Sequence, residues 1–148
     1  MKVLSEHRKA RFDYEILETL QAGLALQGQE VKSIKLGRVR LEGSYVVPKG
    51  EEMLWIGAVI PPYQPQNAPS NYNPERSRQI LLTRKELSSL LGRAKERGLT
   101  LIPLKLYTAG RGMIKLEIGV AKGKKLHDKR ETIREREAQR EMGRFVRG

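Results

Sequence analysis

From Phe12 the chain alternates apolar and polar residues through "FDYEILETLQAGLALQG", placing Tyr14, Ile16, Leu20, Leu24 and Leu26 where they can face a core. Period-two alternation predicts a strand, with a helix as the competing reading. Gly23 and Gly28 favour a bent strand, because glycine inside a strand often marks a bulge or a barrel corner. In "QEVKSIKLGR" the pattern changes: Val31, Ile34 and Lys35 share one helical face and Gly37 supplies a stop, which predicts a short helix. "GSYVVPKGEEMLWIGAVI" reads as two β-rich runs about a Pro-Lys-Gly-Glu turn.

The following "PPYQPQNAPSNYNPERSR" is so rich in Pro, Asn and Ser that neither a helix nor a central strand can continue, so it is expected to be one long loop. "ILLTRKELSSLLGRAKERG" carries the Thr-x-x-Glu capping pair at Thr83 and Glu86, then Leu87, Leu90, Leu91 and Ala94 at helical spacing, with Gly98 as the stop. Two more strands, "LTLIPLKLY" and "MIKLEIGVA", flank the turn "TAGRG". The second sets Ile114, Leu116, Ile118 and Val120 inward and leaves Lys115, Glu117 and Gly119 to water. The first ten residues, basic and short of apolar side chains, are expected to form a loose arm.

At least four strands, interspersed short helices and a glycine-bent first strand predict a mostly β protein, an OB-like antiparallel barrel with two or three short helices. The domain is expected to cover residues 1–121, followed by a basic tail at 122–148 that is disordered in isolation. From Lys122 to Gly148 there are ten Lys or Arg against five Asp or Glu, and Leu126, Ile133, Met142, Phe145 and Val146 are too scattered to make a core-facing stripe. Glu131, Arg134, Glu137 and Arg140 nevertheless stand three apart with alternating sign, which supports a solvated helix. Two readings stay open at this level: a solubilising tail, and a segment that becomes helical on a surface supplying counter-charge.

Composition narrows the partners. With 29 Lys and Arg against 17 Asp and Glu, the 148-residue chain carries a formal net charge of +12, which points to a polyanion. The apolar run "MLWIGAVIPP" is about half the roughly 20 residues of a membrane span, and "MKVLSEHRKARFDY" lacks the apolar stretch of a secretory signal, so a cytoplasmic protein without membrane contact is expected. The absence of cysteine removes thiolate metal sites, disulfides and cysteine nucleophiles. Only two histidines are present, at opposite ends of the chain, and no Ser-His-Asp order or paired carboxylate can be assembled by spacing, so neither a metal, a cofactor nor an enzymatic activity is expected. Aromatic residues make up only 5% of the chain, too few for a broad base-stacking platform. "GRGMIK" is read as a turn, because it lacks the Gly-Lys-Ser/Thr ending of a phosphate loop. Basic clusters at "HRKAR" and "KGKKLHDKR" suit phosphate contacts, which position a nucleic acid without reading its sequence. His127, within the second cluster, is either a solvated tail residue or a ring that stacks on a base. No heptad is sustained, so a monomer is expected.

The stretches "RKARFDYEILETLQAGLALQGQEVKSIKLG", "PERSRQILLTRKEL", "GLTLIPLKLY" and "GVAKGKKLHDKRE" together resemble small protein B, the bacterial SsrA-binding protein family, from about Arg8 to Glu137. That resemblance implies an OB-like barrel gripping the tRNA-like domain of transfer-messenger RNA (tmRNA) at its elbow, with the protein body in place of an anticodon arm. It also implies a tail that becomes helical in the empty messenger channel and decoding centre of a stalled ribosome, so that translation switches template. On the tmRNA side it implies Arg8, Lys9, the bend Gln21, Ala22, Gly23 and Leu24, then Glu30, Lys32 and Leu82. On the ribosome side it implies Lys122, Lys124, Lys125, His127, Asp128, Lys129 and Arg130. This chain has His7 where the family usually has Asn, Gln21 where it has Glu, and Asn73-Pro74-Glu75-Arg76 in place of Asp-Pro-Arg. Gln21 keeps an acceptor and adds a donor. The alternative reading is a generic OB-fold single-strand RNA binder or a ribosomal protein.

Overall fold

The computed structural model describes residues 1–123. In chain order they form β1 (Lys2–Glu6), α1 (Ala10–Asp13), β2 (Tyr14–Leu24), α2 (Gly28–Lys35), β3 (Tyr45–Lys49), β4 (Glu52–Ile56), β5 (Arg78–Leu81), α3 (Arg84–Lys95), β6 (Leu99–Ala109) and β7 (Met113–Gly123). Every pairing is antiparallel, in the order β1-β6-β3-β4-β5-β2-β7, and a further β6–β7 pairing closes the ring. This is the mostly β, OB-like closed barrel that the alternation predicts. The tail lies outside the described residues from Lys124 onward, and β7 itself runs through Lys122 to Gly123.

Closure depends on long strands that change partner along their length. β6 pairs with β7 throughout, but on its other edge it meets β3 at Leu101↔Val46 and then β1 from Lys105↔Glu6 to Thr108↔Lys2. Pro103 lies at this changeover; without an N–H it cannot donate to a ladder, and the β6–β7 register shifts between it and Lys105. β2 does the same, following β7 and reaching β5 only at Gly23 and Leu24. Inside the ring Ile34, Leu41, Met53, Trp55, Ile60, Leu106, Leu116, Ile118 and Val120 are fully buried. The Trp55 indole N–H donates to Ser44 Oγ at 3.0 Å, so its polar atom is satisfied in the core.

Two expectations need correction. The supposed N-terminal arm contains β1: a strand on a sheet edge needs little apolar surface because the β6 backbone supplies its hydrogen-bond partners, and only Leu4 packs on the main core. The outer face of β7 is also not left wholly to water. Ala121, with Ala10, Ile102 and Leu104, forms a second small cluster against which Tyr14 and Ile16 pack. Gly119 is buried there, and a Cβ on it would stand 3.0 Å from Leu104 Cδ1.

Helices α2 and α3 follow their signals, whereas α1 takes Phe12 and Asp13 from the start of the expected strand. In α3 the Thr83 hydroxyl accepts from Glu86 N at 3.2 Å and the Glu86 carboxylate accepts from Thr83 N at 3.1 Å. Leu90 is buried, and Leu87, Leu91 and Ala94 pack on the core. After α2, Gly37 takes φ 73°, a left-handed conformation that favours glycine, and its N–H bonds to Ile34 O at 2.8 Å.

Candidate nucleic-acid interface

The antiparallel registers set two rows of side chains across the outside of the barrel. One row runs Glu6, Lys105, Glu117, Gln21 and the next Val3, Tyr107, Lys115, Gly23. The residues between them, Leu106, Leu116 and Ala22, are buried in the core, as strand alternation requires. Within the first row Lys105 Nζ lies 3.3 Å from the Glu117 carboxylate. The Tyr107 hydroxyl donates to Gln21 Oε1, tying the rows together. Burial, and then the Glu117 charge, push the Tyr107 phenol up, so it remains protonated and a donor at neutral pH. With its carbonyl engaged, Gln21 keeps its amide N–H groups for an acceptor outside the protein.

Both ends of this face are basic. At one end Arg8, Arg11 and Lys105 outnumber the carboxylates of Glu6 and Glu117 around a depression of about 190 Å³ that His7 also lines. At the other, a groove of about 330 Å³ is walled by Leu24, Leu26, Val31, Leu81 and Met113, with Lys115 on its rim. Leu81 and Met113 are exposed, and Lys35 Nζ lies close against Gly112 in the β6–β7 turn. Cationic ends, a polar centre and an apolar groove suit a nucleic-acid backbone and an unstacked base.

Of the residues that the resemblance implies, Arg8, Lys9 and Gln21 are exposed on this part of the barrel, and Gly23 and Leu24 are half-buried at the groove. Ala22 points into the core instead. Leu82 is half-buried and packs on the same core. Lys32 is exposed on α2, its ammonium 5.4 Å from the Tyr63 ring centre. Lys122 is exposed within β7, paired in register with Glu15 and Leu99. Lys124, Lys125, His127, Asp128, Lys129 and Arg130 lie outside the described residues.

Glu30 does not reach the surface at all. Its carboxylate is fully buried and bridges Arg76 Nη2 and Arg78 Nε, each at 2.6 Å, while accepting from Gln27 N at 2.8 Å. Arg78 is equally buried; it also donates to Ala58 O and Pro74 O and lies over the Trp55 ring. Burial pushes the Glu30 carboxyl up, but the Arg76 bond, the Gln27 N–H and Arg78 outweigh it and hold the group below its ordinary value. Glu30 thus fixes α2 and the long loop against the barrel.

Sequence reasoning missed Lys105, Tyr107, Lys115 and Glu117. They occupy the outward positions of "LIPLKLY" and "MIKLEIGVA", yet only the register shows that they lie beside Gln21. Among the described residues, no group of three or more His, Cys, Asp or Glu is placed to hold a metal ion, and no helix is long and apolar enough to cross a membrane.

A closed antiparallel barrel with cations at both ends of its outer face defines a small basic barrel of the nucleic-acid-binding class. The family model described as SmpB protein matches residues 4–148. The SsrA-binding protein of Magnetococcus marinus is 50% identical over 145 residues, covering 98% of this chain and 95% of the relative. That of Caulobacter vibrioides is 48% identical over 147 residues, covering 99% and 96%. A solved chain described as "tmRNA-SmpB: a journey to the center of the bacterial ribosome" superposes with a TM-score of 0.70 at 44% identity, covering 90% of this chain and 96% of the other. The chain belongs to the SmpB, or SsrA-binding protein, family.

Proposed function

We propose that this chain binds the tRNA-like domain of tmRNA and delivers it to stalled ribosomes. The observation that carries this reading is near-complete, roughly half-identical correspondence with SsrA-binding proteins, together with a 44% identical solved relative of the same fold described with tmRNA at the bacterial ribosome. The face across β1, β6, β7 and β2 is the RNA-contacting surface: Arg8, Lys9, Lys105 and Lys115 meet phosphates, and the Gln21 amide donates to a base or ribose acceptor. Glu30 and Arg78 act from within by holding α2, from which Lys32 projects. Lys122, Lys124, Lys125, His127, Asp128, Lys129 and Arg130 face the ribosome, and the tail enters the vacant messenger channel, where RNA phosphates supply the partners that a protein core would not. The protein acts by binding, not catalysis, and works in the cytoplasm. The single-strand binder is less well supported, because Trp55 is spent in the core and cannot stack on bases.

A reconstituted translation reaction on a messenger without a stop codon tests the proposal. Adding the protein with alanyl-charged tmRNA should release a tagged product, and omitting either should leave the ribosomes stalled. Tagging that proceeds equally without the protein would contradict it.

A further inference from the structure

The long loop between β4 and β5 is held in place by side chains that lie outside the four-stranded face described above. Gln29 Oε1 accepts from both Tyr63 N at 2.8 Å and Gln64 N at 3.3 Å, Lys32 lies over the Tyr63 ring, and Arg38 donates to Tyr63 O at 3.1 Å. Further along, the Tyr72 hydroxyl donates to Ile60 O at 2.7 Å, and Arg76 and Arg78 anchor the loop's end to Glu30. An irregular segment of this length inside a small domain is usually functional. The anchoring leaves a cleft of about 470 Å³ between the loop and the start of α2, lined by Gln27, Gln29, Lys32, Asn67, Asn71 and Tyr72.

The chemistry of this cleft is specific. No carboxylate lines it, its single charge is the Lys32 ammonium, and four of its side chains are planar amides. Amides offer donors and acceptors at once and match the edge of a nucleobase, while a lysine meets a phosphate as a point charge. The Gln29 carbonyl is engaged by the loop, which leaves its N–H groups to donate; the Asn67 amide N–H bonds Gln64 Oε1 at 2.9 Å, which leaves its carbonyl to accept. A volume of about 470 Å³ falls in the range of small-ligand clefts and accommodates one nucleotide. An acidic peptide would meet Lys32 but leave the amides without a matching edge.

We infer that this cleft is a second RNA contact, taking one unpaired nucleotide with its base edge on the amides and its phosphate at Lys32. The inference rests on the RNA-binding reading above and adds a contact away from the β-strand face. The unpaired nucleotide belongs either to tmRNA or to ribosomal RNA, and crosslinking tells them apart.

The test uses the full-length chain with a photoreactive p-benzoylphenylalanine at the exposed Asn71, irradiated in complex with tmRNA alone and with tmRNA on stalled ribosomes. A crosslink that maps to an unpaired nucleotide of either RNA is expected. In parallel Asn71→Asp, nearly isosteric on an exposed loop position, should weaken binding to the RNA so identified roughly fivefold by placing a carboxylate against it. The absence of a crosslink in both complexes, or an Asn71→Asp affinity unchanged for both RNAs, would overturn this inference while leaving the tmRNA reading intact. Failure of the unsubstituted chain to bind tmRNA at all would remove both.

Discussion

At the scale of single residues, Glu30 and Lys115 illustrate opposite roles on one small barrel. Glu30 is fully buried between two guanidinium groups, so removing its charge strands Arg78 in the core. Glu30→Gln should cost about 3–5 kcal/mol in chemical denaturation, because breaking a buried pair leaves an uncompensated charge. The carboxyl is held below its ordinary value when folded, so its contribution is fully present above the unfolded value of about 4.3 and lost as pH falls through the lowered folded value. Denaturation followed across that acid range should show a steeper slope in the parent protein than in Glu30→Gln, which keeps only the share of other lowered carboxyls such as Glu86. Lys115 sits half-buried on the outer row beside Gly23. Lys115→Ala should leave stability nearly unchanged, weaken tmRNA binding by about 1 kcal/mol and lower the slope of log affinity against log salt by about one. The sequence marks Gln21 through its resemblance, but not the Tyr107 hydroxyl that orients it 86 positions away.

Among the elements, legibility followed the length of the local signal. α3 could be read directly, since the Thr83 and Glu86 pair and the leucine spacing all lie within one segment. Thr83→Ala should cost about 1 kcal/mol in thermal stability without changing RNA affinity. β5 escaped because its inward row is Arg78 and Ile80, and a charged residue in a core position breaks the apolar alternation. The buried carboxylate of Glu30, 48 positions earlier, with the Ala58 and Pro74 carbonyls, makes that arginine legitimate in the core. β1 escaped for a different reason: its partner strand β6 begins almost a hundred residues later, and a short edge strand takes its stability from backbone pairing. Deleting residues 1–6 should therefore lower the melting temperature, rather than merely trim a flexible arm. A melting temperature unchanged by the deletion would show that β1 contributes nothing to the fold.

The whole molecule divides a closed barrel, which is complete on reaching Gly123, from 25 further residues carrying nine Lys or Arg against five Asp or Glu. The barrel closes through β6 and β7, the two strands that also supply Lys105, Tyr107, Lys115 and Glu117 to the outer face. On the proposed reading, recognition and folding share the same scaffold, and the tail is left for a different partner. The central claim is that the barrel alone selects tmRNA. Its most direct test is titration of a fluorescent tRNA-like domain, against an unrelated hairpin of equal length, with the full chain and with a form ending at Gly123. Both should prefer the tRNA-like domain by at least about tenfold at physiological salt, equivalent to roughly 1.4 kcal/mol. Loss of that preference on truncation would contradict the claim by making the tail the RNA clamp, and an equal grip on both RNAs by the full chain would contradict the tmRNA reading itself.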